Sequence, residues 1–258
     1  MQIVIPMAGQ GKRFESSKYK VLKPLIQVDG KPIIEHVINL FPGENDIVFI
    51  CSEEHLATTP LKSVLKSLKP HATIATIIPH TLGPTESVLL VKDKIKHSEP
   101  IIINYCDFFM DWDYKHFKKK MKKENIDGAL VCYKGFHPHL LGDDFYAGVK
   151  TDEHNNFLET KEKYSYTANK MDCWQSTGTY YFSSGSLAIK YLQQVKDKKL
   201  LTNGEYYIPL AYNLMQLDNL KSIVYPTQHF CQWGTPKDLE EYEYWSKYFL
   251  SKSKRYEN

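Results

Sequence analysis

The chain has 258 residues and a formal net charge of +3, with 24% charged and 42% hydrophobic residues. This composition is typical of a globular protein with a sizeable core, and the isoelectric point of 8.4 is too mild to indicate a nucleic-acid partner. No apolar run approaches the roughly 20 residues of a membrane span, and the first apolar run lacks the basic flank of a signal peptide. We therefore expect neither a nucleic-acid nor a membrane partner.

The five cysteines are scattered along the chain without a C-x-x-C pair. This spacing argues against a zinc module and against a disulfide framework. It fits a reducing compartment, so a cytoplasmic protein is expected.

The first element in the chain is a short apolar strand, residues 3–7, that runs directly into a glycine-rich loop. The loop has the sequence Ala8-Gly9-Gln10-Gly11-Lys12-Arg13-Phe14. A strand followed by such a turn can hold a phosphate, because backbone N–H groups point at the anion and no Cβ blocks its approach. Phe14 stands where a dinucleotide-binding fingerprint needs its third glycine, and Gly11-Lys12-Arg13 lacks the hydroxyl of a P-loop.

Strands and helices alternate through the first half of the chain. Apolar runs rich in isoleucine and valine predict strands at 3–7, 46–51, 73–78, 101–105 and 128–133. Helical periodicity predicts helices at 32–41, 55–68, 84–97 and 113–124. The pattern predicts an α/β fold, a three-layer α/β/α sandwich with a mostly parallel, Rossmann-like central sheet.

The second half has a different pattern. The runs 145–150 and 156–161 flank a turn-rich segment and predict a hairpin, and Gly178–Phe182 predicts a further strand. Helices are expected at 185–196, 204–217 and 236–249. We expect these elements to form a mixed-sheet extension continuous with the parallel core.

Three positions in the first half have side chains suited to phosphate or metal chemistry. Asp107 follows a buried strand opposite the glycine-rich loop, where Mg²⁺ on a triphosphate would need a ligand, although such a residue can also cap the next helix. Lys23 precedes Pro24, which favours an extended conformation. Pro84 and Thr85 follow Gly83 and begin a helix, and Gly83 would allow a planar ligand to come close.

Together these segments resemble the sugar-phosphate nucleotidyltransferase family. The likeness lies in M-A-G-x-G-x-R-F, then K-P-L, then V-x-G-K-P-[IL]-[IL], and it continues in order from Ile3 to Leu239. The resemblance implies a GT-A-like fold and an enzyme that joins an NTP to a phosphorylated metabolite and releases pyrophosphate. It implies one domain over 1–258, with a nucleotide-binding half (1–135), an acceptor-binding half (136–235) and a C-terminal helix (236–258).

The resemblance also implies roles for individual residues. The expected nucleotide-binding residues are Met7, Ala8, Gly9, Gly11, Lys12, Arg13, Lys23, Gly83 and Thr85. The expected catalytic residues are Arg13, Lys23, Asp107 and Lys163, with Asp107 on Mg²⁺, the implied cofactor. The expected acceptor-binding residues are Glu162, Lys163, Thr177 and Gly178. Lys161 is a rival to Lys163, because strand alternation would place the two lysines on one face.

The chain departs from the family pattern at two positions. Tyr164 replaces the proline of E-K-P, and Gln232 stands where an aspartate usually shares the metal. A glutamine offers Mg²⁺ a much poorer oxygen than a carboxylate, so a second protein ligand at Gln232 is doubtful. The pair His137 and His139 has metal-like spacing but no evident third ligand, so a loop pair is expected.

The nearest overall likeness is to the capsule-pathway members of this family, which include phosphoglutamine cytidylyltransferases. For that reason alone we expect CTP as the nucleotide and a phosphorylated small molecule as the acceptor, with a homo-oligomer as a further option. The alternatives are a hexose-1-phosphate enzyme that uses UTP or dTTP, and a nucleotide sensor without catalytic activity. A dinucleotide oxidoreductase is disfavoured by Phe14.

Overall fold

The computed structural model describes residues 1–9, 11, 14 and 18–256, with side chains up to residue 252. The strands are β1 Gln2–Pro6, β2 Gln27–Val28, β3 Lys31–Pro32, β4 Ile47–Ser52, β5 Thr73–Ile77, β6 Ile101–Asn104, β7 Phe108–Asp111, β8 Gly128–Tyr133, β9 Gly148–Thr151, β10 Phe157–Lys161, β11 Trp174–Phe182, β12 Ser222–Pro226 and β13 His229–Gln232. The α-helices are α1 Ile33–Asn39, α2 Glu53–Thr58, α3 Leu61–Leu68, α4 Pro84–Leu90, α5 Tyr114–Lys123, α6 Gly185–Asp197, α7 Leu210–Leu217 and α8 Pro236–Tyr256.

The main sheet has a parallel half and an antiparallel half. Its order is β10-β9-β11-β6-β1-β4-β5, and β8 pairs with both β11 and β12. The pairs β1–β4, β1–β6, β4–β5 and β8–β12 are parallel, whereas β11 runs antiparallel to β6, β8 and β9. The carboxyl ends of β1 and β6 therefore meet at one edge of the sheet, where α/β proteins bind their ligands.

Side-chain alternation along β1 divides the core into two layers. Ile3 and Ile5 belong to a cluster that includes the apolar residues of α1, α3 and α5. Val4 belongs to a second cluster, on the other face, with the apolar residues of α4, α6 and α7. Because strands buried on both faces need helices on both faces, the sandwich predicted from the sequence is confirmed.

The lysine-rich helix α5 is amphipathic, with an apolar face toward the core and charged side chains on the rest of its surface. Phe117 and Met121, four residues apart, are buried, and the lysines on the rest of the helix face solvent. Its first turn is capped, because the His116 N–H donates to Asp113 Oδ1 over 2.7 Å. No helix in the described part of the chain is long and apolar enough to cross a membrane.

Several predicted helices have different bounds in the structure. The helix expected at 55–68 is two helices, α2 and α3, because Pro60 lacks the N–H that a continuous helix needs. The helix expected at 84–97 ends at Leu90 and is followed by a short 3₁₀ turn, Lys92–Lys94. The helix expected at 204–217 begins at Leu210, because Asn203 and Gly204 have positive φ values of 51° and 81° and form a turn.

The predicted strands are present, and the hairpin of β9 and β10 is antiparallel as expected. The strand expected at 178–182 is longer and begins at Trp174. Sequence periodicity missed the two-residue strands β2 and β3, and it missed β7, β12 and β13. Of these, β7 and β13 pair with each other directly after Asp107 and directly before Trp233, so they bring the two ends of the site together.

Candidate active site

A cavity of about 480 Å³ opens at the carboxyl ends of β1 and β6. Four parts of the chain contribute most of its lining, namely the loop after β1, the segment before α4, the end of β6 and the segment before α7. The lining includes Met7, Ala8, Gly9, Gly11, Lys23, His80, Thr81, Gly83, Pro84, Ser87, Tyr105, Cys106, Asp107, Glu205, Tyr207 and Gly234. Residues far apart in the sequence therefore converge on one site, and most of the expected nucleotide-binding residues are among them.

The glycine-rich loop forms one wall of this cavity. The Met7 N–H donates to the Ile50 carbonyl over 2.9 Å, which ties the start of the loop to β4. Gly11 has a φ of +65°, a conformation that favours glycine, and a Cβ at Gly9 would meet no protein atom within 4 Å. Both glycines thus leave room for a ligand close to the backbone. Lys12 and Arg13 lie outside the described residues.

Lys23 and Asp107 form an ion pair in the floor of the cavity. Lys23 Nζ lies 2.7 Å from Asp107 Oδ2 and 3.2 Å from the Gly234 carbonyl oxygen. Lys23 was expected to be extended, but it begins a 3₁₀ helix, Lys23–Leu25. The Trp233 N–H donates to the Asp107 backbone carbonyl over 2.8 Å, which holds the Asp107 main chain in place. The described part of the cavity therefore includes an ammonium and a carboxylate in direct contact.

Gly83 lies at a close backbone crossing. Its φ is +87°, and a Cβ there would lie 2.8 Å from the Tyr206 carbonyl oxygen. The Tyr206 N–H donates to the Leu82 carbonyl over 2.8 Å, and the Thr85 N–H donates to the Tyr206 carbonyl over 3.2 Å. These bonds join the segment before α4 to the segment before α7. The Thr85 side chain is fully buried, and Thr85 is not among the residues that line the cavity.

His80 and Ser87 form a polar pair on the same wall. The Leu82 N–H donates to His80 Nδ1 over 3.1 Å, and His80 Nε2 lies 3.1 Å from Ser87 Oγ. Because a backbone N–H can only donate, Nδ1 accepts and the neutral ring carries its proton on Nε2. That proton is donated to Ser87 Oγ, so the hydroxyl proton of Ser87 is available to a group in the cavity.

The segment before α7 adds an acid and a phenol to the cavity, and a lysine lies close behind them. The Tyr207 hydroxyl donates to Glu205 Oε2, and both residues line the cavity. Lys163 Nζ lies 5.3 Å from the centre of the Tyr207 ring. Lys161 lies elsewhere, with its Nζ 3.5 Å from Glu159 and 5.0 Å from the Tyr164 ring. The two lysines do not follow strand alternation, because β10 ends at Lys161 and Lys163 has a φ of +54°.

None of the expected acceptor residues, Lys163 included, is among the residues that line the cavity. Burial raises the pKa of Glu162 to about 8, with Glu205 adding to the rise and Lys163 opposing it. The Thr177 hydroxyl donates to the Val131 carbonyl, and the residue is buried. A Cβ on Gly178 would lie 2.9 Å from the Tyr105 ring. Because Gly178 has no Cβ, it leaves room for the Tyr105 ring in the cavity wall.

Gln232 is not among the residues that line this cavity. It is 8% exposed and its side chain interacts with the His139 ring. His139 Nε2 in turn lies 2.7 Å from the Tyr133 hydroxyl, and burial lowers the pKa of His139 to about 4. His137 packs on the Tyr133 ring at a centroid distance of 4.4 Å. The two histidines thus belong to a buried aromatic cluster.

The side chains present fit Mg²⁺ only in part. Within the described ranges no three His, Cys, Asp or Glu side chains come together as a metal site. Asp107, with 32% of its side chain exposed, offers one carboxylate to the cavity. This fits the mode in which Mg²⁺ takes one or two carboxylates and completes its shell with phosphate oxygens and water.

Cys106 is the cavity's thiol. Burial raises its pKa to about 12, and the neighbouring Asp107 carboxylate adds to the rise. The side chain is therefore a neutral thiol, which is a poor nucleophile. This favours a reaction that needs no covalent intermediate on the cysteine.

The cavity residues that sequence reasoning missed include His80, Ser87, Tyr105, Glu205 and Tyr207. For the last two, a signal was present. Asn203-Gly204 is a strong turn dipeptide, and it argues against a helix that starts at residue 204. The pairing of His80 with Ser87 depends on a loop and a helix that meet only in the folded chain.

Comparison with known proteins identifies the family of this fold. Residues 3–164 match the family described as the MobA-like NTP transferase domain. A bifunctional protein GlmU from Listeria monocytogenes serotype 4a is 27% identical over 228 residues, which is 83% of this chain and 44% of that protein. A GlmU from Staphylococcus epidermidis is 26% identical over 231 residues, 88% of this chain and 48% of that protein. The chain thus spans less than half the length of these curated relatives.

Solved structures share the fold at low sequence identity. A nucleoside-diphosphate-sugar pyrophosphorylase from Vibrio cholerae superposes with a TM-score of 0.74 at 20% identity, covering 94% of this chain and 99% of that one. An inositol-1-phosphate CTP transferase from T. maritima superposes with a TM-score of 0.69 at 15% identity, covering 92% of this chain and 90% of that one.

Proposed function

We propose, since the chain belongs to the family of MobA-like NTP transferase domains, that it transfers a nucleotidyl group from an NTP to a phosphorylated small molecule and releases pyrophosphate. The observation that carries this proposal is the convergence on one cavity of the glycine-rich loop, the Lys23–Asp107 pair and the Gly83 segment. An acceptor phosphate oxygen would attack the α-phosphorus while the bond to the β-phosphate oxygen breaks. Such a displacement depends on positioning and charge neutralisation.

Each half of the chain has a proposed part in this reaction. Lys23 would neutralise charge on the triphosphate, and we assign Arg13 the same role. Lys163, whose Nζ lies 5.3 Å from the ring of the cavity residue Tyr207, would bind the phosphate of the acceptor. The neutral thiol of Cys106 supports direct displacement. We therefore propose that residues 1–135 bind the nucleotide and 136–235 the acceptor.

Asp107 is the residue that would hold Mg²⁺, the proposed cofactor. The ion would supply positive charge to the phosphate oxygens. Lys23 Nζ lies 2.7 Å from Oδ2 of the same carboxylate, so the ammonium and the ion would share Asp107.

We further propose CTP as the nucleotide, on two grounds. One is the overall resemblance to capsule-pathway cytidylyltransferases. The other is the pair formed by His80 and Ser87, which leaves the Ser87 hydroxyl proton available to an acceptor atom in the cavity. The N3 atom of cytosine accepts a hydrogen bond, whereas N3 of uracil or thymine carries a proton. His80 uses one of the two lone pairs of the Ser87 hydroxyl, and we propose that the hydroxyl donates its own proton to N3 and so favours cytosine.

The acceptor proposal rests on the same resemblance and on Glu205. We propose a phosphorylated metabolite of capsule or surface-polysaccharide synthesis, with phosphoglutamine as the first compound to try. The Glu205 carboxylate in the cavity wall could bind an ammonium group of such an acceptor, and it could equally bind sugar hydroxyls. A hexose 1-phosphate used with UTP or dTTP is therefore the second candidate.

A pyrophosphate-release assay tests the proposal directly. Four NTPs are each combined with phosphoglutamine and a panel of sugar 1-phosphates, with Mg²⁺ and with chelator. Release that requires both substrates and Mg²⁺ supports the enzyme. Nucleotide binding without any release of pyrophosphate would instead support a nucleotide sensor. The observation in favour of a sensor is that Gln232 replaces a carboxylate.

The base preference has its own test. Ser87→Ala removes the hydroxyl, and we expect it to reduce the ratio of CTP to UTP efficiency about tenfold, which corresponds to roughly 1.4 kcal/mol. The matched control is Thr81→Val, at a neighbouring lining position, which should leave the ratio unchanged. An unchanged ratio in Ser87→Ala would remove the support that His80 and Ser87 give to CTP.

A further inference from the structure

The C-terminal helix α8 presents one side to the rest of the protein and the opposite side to solvent. On the inner side Leu239 is fully buried. The Tyr242 hydroxyl donates to Asp29 Oδ2 over 2.7 Å, and the Ser246 hydroxyl donates to Asp29 Oδ1 over 2.9 Å. These contacts fix the rotation of the helix about its axis, so they determine which residues lie on the side that faces solvent.

The outer side carries four exposed aromatic rings, which we call the aromatic face: Tyr244, Trp245, Tyr248 and Phe249. Their exposed fractions are 65%, 47%, 43% and 62%. The other three rings follow Tyr244 by one, four and five residues, and this spacing places all four on one side of a helix. They also pack on each other, with Trp245 and Phe249 stacked at 5.9 Å. A contiguous exposed patch of this kind marks an interaction surface.

The aromatic face has a symmetry along the helix. One point on the helix axis lies midway between Tyr244 and Phe249 and also midway between Trp245 and Tyr248. If two copies packed antiparallel across a two-fold axis at that point, Tyr244 would face Phe249 of the second copy. Trp245 would likewise face Tyr248. Self-complementarity of this type is what a two-fold interface requires.

Two charged residues follow the same symmetry. Glu241 and Lys252 lie at equal distances from that point, one at each end of the aromatic face, and a turn of 3.6 residues places both on the outer side. Within residues 18–252 neither forms an intramolecular ion pair, and Lys252 Nζ lies 5.5 Å from the Tyr248 ring. An antiparallel pair would oppose Glu241 to Lys252 at both ends, whereas a parallel pair would oppose like charges.

We propose that the aromatic face binds a second copy of this chain as an antiparallel pair of α8 helices. Matched aromatic rings would form the centre of the contact, and the pairs of Glu241 with Lys252 would flank it and set its direction. If each ring loses on the order of 100 Å² of surface, the eight rings bury about 800 Å², which is the size of a weak interface. The dimer therefore dissociates on dilution. This proposal is independent of the proposed reaction.

Sedimentation velocity over a wide concentration range tests the wild-type chain. We expect a mass of 30.0 kDa at the dilute end and twice that mass at the concentrated end. Glu241→Lys and Lys252→Glu should each raise the dissociation constant at least about tenfold, because each opposes like charges twice. The double variant should recover the wild-type value. An equimolar mixture of the two single variants should form mixed dimers, because both ends then carry opposite charges.

Variants of the exposed apolar residues provide the control. Trp245→Ala should abolish the dimer, whereas Leu250→Ala should not, because Leu250 is 57% exposed but lies on the other side of the helix. Circular dichroism and thermal denaturation confirm that each variant is folded. A wild-type chain that stays at 30.0 kDa at every concentration, or a dimer that Trp245→Ala leaves intact, would overturn the proposal. Equal weakening by both single charge variants without recovery in the mixture would also overturn it.

Discussion

Replacing Glu162 by glutamine should remove a pH dependence from the stability of this protein. Glu162 lies in the turn after β10, and burial raises the pKa of its carboxyl from 4.5 to about 8, with the Glu205 carboxylate adding to the effect. The folded protein thus keeps a proton on Glu162 at pH values where the unfolded chain has lost it. The protonated carboxyl is matched in shape and charge by the amide of glutamine.

The sign and size of the effect follow from linkage. Below pH 4.5 the side chain is protonated in both states, so Glu162→Gln changes little. Between pH 4.5 and about 8 the unfolded chain binds fewer protons than the folded protein, so the free energy of unfolding of the wild type falls as the pH rises. At about 1.4 kcal/mol per pKa unit the loss reaches at most about 5 kcal/mol, and hydration of the carboxylate through local rearrangement reduces it.

Urea denaturation of wild type and Glu162→Gln at a series of pH values from 4 to about 9 measures this difference. We expect the two curves to coincide at the acid end and the variant to be more stable by at least about 2 kcal/mol at the alkaline end. Glu159→Gln is the control, because Glu159 is on the same hairpin but is 43% exposed beside Lys161. If wild type and Glu162→Gln lose stability in parallel, the carboxyl titrates normally and the reasoning from burial is wrong.

Three further predictions concern the cavity. Asp107→Asn should lower the turnover number about 100-fold, or about 3 kcal/mol, whereas Gln232→Ala should lower it less than about tenfold, because only Asp107 faces the cavity. Steady-state pyrophosphate release gives both values, and equal losses would make Gln232 a partner in the metal site. Lys163→Ala should raise the KM for the acceptor about tenfold without changing the KM for the NTP, and Lys161→Ala should change neither; the reverse result would move the acceptor phosphate to Lys161. Gly83→Ala should lower the free energy of unfolding by at least about 2 kcal/mol in urea denaturation, because a Cβ there meets a backbone carbonyl at a positive φ, and a neutral result would show that the crossing has room.

The parallel half of the fold was predictable because its signals are local. Runs of β-branched residues give the strands β1, β4 and β6 directly, and their carboxyl ends define the position of Asp107. The bounds of helices were less predictable where a single residue decides them. Pro60 divides a helix that hydrophobic periodicity favours on both sides of it, and Gly204 prevents the helix that was expected to begin there.

The acceptor side was less predictable because its geometry depends on contacts between distant segments. Glu205 and Tyr207 enter the cavity only because the Tyr206 backbone bonds to Leu82 and Thr85, more than 100 residues earlier in the chain. The strand β13 has no strong periodic pattern and is formed by pairing with β7. In these places tertiary contacts override the local preference.

The environment of Gln232 explains why a carboxylate would be unfavourable there. Its neighbour His139 has a pKa lowered to about 4 by burial and is therefore neutral, and the Tyr133 and Phe230 rings stack beside it at 4.4 Å. A carboxylate in these surroundings would lose its hydration, whereas an amide needs only hydrogen bonds. At the cavity, by contrast, Lys23 neutralises Asp107. The chain thus has the carboxylate of Asp107 in the cavity and the amide of Gln232 beside the aromatic cluster. This arrangement is consistent with the proposed site, in which the substrate would supply the remaining metal ligands.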